Sequence, residues 1–177
     1  MNFLEQLAKY IVDDEPSSFL PSIALQGLEE NFDSPSIIIL AGFSDHESPF
    51  VIDEYFKKMI KELNIEFSDR LRAALFLIKS LVKKIIDGKI DPYEGCKIIF
   101  EETLSKTDSR TKDEKFVYDS IKLAPVYGLY DTIWELQNAS TRWDKVKTNE
   151  ELIEKVKQDI KKELLLWQEN EVKINKR

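Results

Sequence analysis

The stretch from Ile85 to Gly95 constrains this chain more than any other. An apolar run ends at Ile85-Ile86, and Asp87-Gly88-Lys89-Ile90-Asp91-Pro92-Tyr93-Glu94-Gly95 follows. Gly88 suits the left-handed position just past a helix C-terminus, where a Cβ would clash. Asp91 suits an N-cap and Pro92 the first helical position, where its missing N–H costs nothing. Glu94 completes a capping-box spacing with Asp in place of Ser or Thr. Only Lys89 and Ile90 separate the two signals, and so short a link joins spatial neighbours. The spacing predicts an αα-hairpin of Ser68-Asp87 and Asp91-Leu104, with the remaining helices packed around it. Gly95, in the first turn of the second helix, leaves room for a close backbone approach. Gly88, Asp91, Pro92, Glu94 and Gly95 are therefore read as turn residues with folding roles.

The first helix of the pair predicts how it packs. At 100° per residue, Leu71, Ala74, Leu75, Leu77, Ile78, Leu81, Val82, Ile85 and Ile86 share one half of the cylinder. Arg70, Arg72, Lys79, Ser80, Lys83, Lys84 and Asp87 hold the other. An arc this wide meets two or more neighbours. Phe76 falls on the charged half, and a covering loop or the Lys stems are expected to shield it.

Elsewhere the signals are also helical. Gly (5) and Pro (6) are scarce among 177 residues, and 42% are hydrophobic, enough for a core and too many for disorder. Asn2 to Val12 carries apolar residues at helical spacing and ends at Asp13-Asp14-Glu15-Pro16. Ser17 to Asn31 is expected to hold a helix burying Ile23, Leu25 and Leu28. Ser34 reads as an N-cap with Pro35 after it, opening a short apolar helix to Gly42. A strand is the alternative for Ile37-Ile38-Ile39, but no partner strand lies nearby. Ser48-Pro49 repeats that opening before Val51, Ile52, Tyr55, Phe56, Met59, Ile60 and Leu63, and Asn64 closes that helix. Beyond Leu104, Thr111 to Glu114 is a candidate capping box leading into Phe116, Val117, Ser120, Ile121 and Ala124. Pro125 interrupts or kinks that helix before Val126 to Leu136. Thr148-Asn149-Glu150-Glu151 is a further capping box. It opens a last helix to about Asn170, followed by a frayed tail from Glu171. The fold class expected is all-α, a compact bundle of six to eight helices. It forms one domain over 1–177, with acidic helices in 1–64, the hairpin in 65–104 and aromatic-rich helices in 105–177.

Charge is distributed unevenly. The net charge is −7, yet residues 1–56 hold eleven acids against Lys9 alone, a local −10 that leaves +3 for the rest. Such a field can steer a basic partner to one end. The acidic pI near 5.0 argues against nucleic acid. Candidate partner-binding residues are Asp13, Asp14, Glu15, Glu29, Glu30, Asp33, Asp45 and Glu47.

Catalytic signals are few. The one histidine, His46, lies between Asp45 and Glu47. Adjacent side chains seldom converge on one ion, and no second His completes a zinc set. Asp13-Asp14-Glu15 lacks the alternating ligands of a calcium loop. Cys96 reads as a buried small apolar residue rather than an activated thiol. There is no nucleophile-elbow serine and no phosphate-binding glycine loop. Tyr127, Tyr130, Trp134 and Trp143 suit inter-helix packing. Asn138-Ala139-Ser140 matches a glycosylation sequon that has meaning only in a secreted protein. No run of about 18 apolar residues is present to span a membrane, Met1 to Val12 lacks a signal-peptide pattern, and the lone cysteine suits the cytoplasm.

Two stretches carry a resemblance. Ser34-Pro35-Ser36-Ile37-Ile38-Ile39-Leu40-Ala41-Gly42 resembles a "Ser-Pro-x-Leu-x-x-Leu-Ala-Gly" pattern. Ile86-Asp87-Gly88-Lys89-Ile90-Asp91-Pro92-Tyr93-Glu94-Gly95 resembles "Gly-x-Ile-x-Pro-x-Glu-Gly". Both patterns occur in small uncharacterised bacterial all-helical proteins. The resemblance implies a bacterial, compact helical protein and implies no mechanism. The function expected is a non-catalytic protein-binding module, immunity- or antitoxin-like, acting through the acidic N-terminal surface without cofactor or metal. The alternatives are a homo-oligomeric structural subunit and a small carboxylate-based enzyme.

Overall fold

In the computed structural model, which describes residues 1–44, 46–67, 69–107, 116–138 and 148–174 (side chains to 170), every regular element is helical. Among the described residues the eight α-helices are α1 (Phe3–Asp13), α2 (Leu20–Glu29), α3 (Pro35–Ala41), α4 (Pro49–Glu62), α5 (Arg70–Ile86), α6 (Pro92–Lys97), α7 (Ala124–Asn138) and α8 (Asn149–Ile174). The protein is all-α among these residues, as the hydrophobic spacing predicts. The chain gathers into two compact units, Met1–Leu77 and Ile78–Arg177, with the boundary inside α5.

The first unit is organised by caps. Asn2 and Glu5 form a reciprocal capping box at the start of α1. Ser34 caps α3 through the Ile37 N–H, with Pro35 next. Glu62 at the end of α4 reaches across to the same helix start, accepting from the Ser36 N–H at 3.0 Å and its hydroxyl at 2.7 Å. Phe3, Leu7, Leu20, Ala24, Ile37, Leu40, Met59 and Ala74 are wholly buried in this unit's core. Gly27 sets the spacing: a Cβ there would lie 2.7 Å from Ile37 Cδ1 and 2.9 Å from the Phe3 ring. Leu25, expected in the core, is exposed instead. It lies 200° around the helix from Ile23, so the two cannot share a face. Phe67 covers Phe76, with ring centroids 4.8 Å apart, the loop shield expected for that residue.

The second unit contains the hairpin turn. Gly88 has φ +72°, and Asp91 Oδ1 accepts from the N–H groups of Tyr93 and Glu94. A Cβ on Gly95 would overlap Ile85 Cδ1 and lie 2.5 Å from its Cγ1, so α5 and α6 meet at the glycine. Past α6 the chain widens into a π-helical turn over Ile98–Thr103 and then tightens at Leu104–Lys106. The helix expected from Phe116 to Ala124 is absent. Tyr118 (φ 66°) and Lys122 (φ 58°) are left-handed and break it into turns. Pro125 therefore sits in the first turn of α7 rather than kinking a helix, because its missing N–H leaves no bond unmade there. The expected Thr111–Glu114 capping box lies outside the described residues. The one at Thr148 forms: Glu151 N–H donates to Thr148 Oγ1, and Thr148 N–H to Glu151 Oε2. Helix α8 continues to Ile174, past the end expected near Asn170. Its Lys157 is half-buried and paired with Asp91 at 2.9 Å, because the N-cap of α6 faces it. Trp167 closes the unit by donating from Nε1 to the Ile121 carbonyl.

Candidate functional site

The acids singled out by the sequence fall into three places. Asp13, Asp14 and Glu15 come together at the end of α1. Lys9 pairs with Asp13 one turn on and lies 3.8 Å from Glu15. Asp14 takes the left-handed cap position (φ 56°), its N–H bonded to the Tyr10 carbonyl, and its Oδ2 holds the Arg70 guanidinium at 3.0 Å. Glu29, Glu30 and Asp33 follow along α2 and its exit. Glu30 has a folding role as well: its two oxygens accept from the Phe3 N–H at 2.9 and 3.0 Å, adding a distant cap to α1. Glu29 and Asp33 are exposed. Glu47 sits before α4 and accepts from the Ser48 N–H. Asp45 lies outside the described residues.

A cleft opens beside the first group. Its volume is 470 Å³, its walls include Tyr10, Phe56 and Phe67, and its charged lining is Asp14, Glu15 and Lys57. Tyr10 and Phe56 meet edge to face at 5.6 Å. Burial pushes the Tyr10 hydroxyl up to about 12, and the negative charges of Asp53, Asp14 and Glu15 add to the rise. The charged lining of the cleft thus sets Asp14 and Glu15 against Lys57.

Exposed apolar side chains on α2 and α3 are a second feature. The close approach of Gly27 to Ile37 aligns the two helices, joined by a short link and so antiparallel. Leu25, Ile38 and Ile39 are 51%, 54% and 40% exposed. Glu29 follows Leu25 by one turn on the same face. The helical wheel of α2 already places Leu25 away from Ile23 and Ala24, which is the signal that a burial reading by residue type overlooks.

The other candidates are structural. Cys96 is fully buried, and burial, helped by Asp91, pushes its thiol up to about 12, the opposite of activation. His46 is exposed, and among the described residues no group of three or more His, Cys, Asp or Glu can hold a metal ion. Tyr93 stacks on Tyr130 at 5.2 Å, Tyr127 packs on Phe100 at 5.1 Å, and the Tyr130 hydroxyl donates to Glu101. Trp134 is exposed rather than packed, and Trp143 lies outside the described residues. No helix of the described residues is long and apolar enough to cross a membrane. Gly88, Asp91, Pro92 and Gly95 build the hairpin turn, whereas Glu94 contributes its backbone N–H to Asp91 and its exposed side chain closes no capping box. Compared with protein-family models, with curated proteins and with solved structures, the chain matches none.

Proposed function

We propose that the chain is a non-catalytic protein-binding module whose first unit engages a basic partner. One observation carries the reading: acidic excess and exposed apolar side chains occupy the same unit. Residues 1–77 hold fourteen acids and six bases, a net −8. Leu25, Ile38 and Ile39 stand exposed on that unit, with Glu29 one turn from Leu25. Interfaces combine an apolar centre with a charged rim in this way, and the rim steers the encounter. A second copy of the chain would bring the same excess of negative charge, which favours a partner of opposite sign over a homodimer. A toxin-neutralising immunity protein is one concrete example of such a module. A cytoplasmic setting accords with the single free, buried thiol of Cys96.

The test is affinity capture from the native cell with the whole chain and with a Glu29→Lys/Asp33→Lys/Ile39→Lys variant shown by circular dichroism to be folded. A basic protein held by the parent at about 50 mM salt, lost at about 500 mM and not held by the variant supports the reading. Identical captures by the two proteins, or none by either, count against it.

A further inference from the structure

The cleft at the end of α1 has the chemistry to select its occupant. We propose that the cleft walled by Tyr10, Phe56 and Phe67, with Asp14 and Glu15 at its mouth, seats an arginine side chain of the basic partner; the inference rests on the reading above and names the anchor. The aromatic walls accept an apolar stem and offer ring faces to a cation. The carboxylates supply planar acceptors for the guanidinium fork. At 470 Å³ the cleft holds an arginine together with part of a neighbouring residue.

The molecule already uses this pairing at the mouth. Arg70 binds Asp14 through Oδ2 alone, leaving the second oxygen of an acceptor that can serve two donors. The Asp14 side chain is 84% exposed and lies open to an incoming group. Glu15 is held only loosely, 3.8 Å from Lys9. Lys57 opposes a cation from the rim, but it sits on a long flexible stem. Burial is the main cause of the raised Tyr10 hydroxyl, and the negative charges of Asp53, Asp14 and Glu15 add to it, so these acids act on the cleft wall. A lysine would lose the fork geometry that two neighbouring carboxylates reward.

The test needs no partner, so it can fail while the reading above stands. N-acetyl-arginine amide is titrated into the whole protein and followed by two-dimensional NMR. N-acetyl-citrulline amide serves as the neutral isostere and agmatine as a free small cation. The expected result is saturable shifts at Tyr10, Phe56 and Phe67 with the arginine probe, at least about fivefold weaker binding of citrulline, and a similar loss in Asp14→Asn/Glu15→Gln. Asn tolerates the left-handed backbone at position 14, so the variant keeps the cap of α1. Equal binding of arginine and citrulline, an unchanged affinity in the variant, or no saturable shift overturns the proposal. Agmatine binding about tenfold or more tightly than the peptide-like probe also overturns it, because the cleft would then serve a free small cation.

Discussion

Single residues in this protein act mostly through space and backbone conformation. Gly88 sits at φ +72° with open space where a Cβ would go, so Gly88→Val adds strain and no clash. The expected cost is about 1–2 kcal/mol, read as a lower midpoint in chemical denaturation. Gly95 is the reverse case: its backbone is ordinary, but a methyl group meets the buried Ile85. Gly95→Ala should cost about 1–3 kcal/mol, and Ile85→Val should absorb part of that loss in a double-mutant cycle. Additive effects would show that the two side chains do not share the space. Cys96 gives a third residue-scale prediction. Its thiol is raised to about 12 in the folded protein, against about 8.5 when unfolded. The stability this contributes is complete below about pH 8.5 and is lost as pH rises toward the folded value. A thiol reagent at neutral pH should label native protein far more slowly than denatured protein. Equal rates would contradict the burial of Cys96.

At the scale of elements, several helix starts were legible because they rest on local sequence signals, although Ser48 precedes α4 without a side-chain cap hydrogen bond. Ser34-Pro35, Asp91-Pro92 and Thr148 with Glu151 all cap the helices they announce. The long-range caps were not legible. Glu62 on Ser36 and Glu30 on Phe3 join groups 26 and 27 residues apart, and no spacing rule encodes such pairs. The segment 116–123 misled because its apolar spacing suits a helix, while Tyr118 and Lys122 adopt left-handed conformations that residue type does not signal. Asp91 joins both kinds of information. It caps α6 locally and holds Lys157 of α8 at a distance. Burial pushes its carboxyl up, but hydrogen bonds from Lys157 and from the N–H groups of Glu94 and Tyr93 outweigh it and hold the group below the usual range. The contribution is therefore present above the ordinary carboxylate pKa of about 3.9 and is lost as pH falls through the lower folded value. Asp91→Ala should cost about 1–2 kcal/mol at neutral pH. The advantage of the parent over Asp91→Asn should vanish in acid, and thermal melts across the pH range check both points.

For the molecule as a whole, the charge asymmetry was plain in composition, but its division of labour was not. Of the named acids, Asp13, Asp14 and Glu15 gather beside a cleft, Glu30 spends its carboxylate on α1, and Glu29 and Asp33 stand exposed. The exposure of Leu25 was hidden by residue type, since Leu suggests a core until its angular position is compared with that of Ile23. The central claim is that this unit binds a partner of opposite charge. It is tested most directly by calorimetric titration of the captured partner into the parent protein and into Glu29→Lys/Asp33→Lys, at about 50 mM and about 500 mM salt. The account predicts at least about tenfold weaker binding by the variant at low salt and a gap that narrows at high salt. Equal affinities of the two proteins at low salt would contradict it.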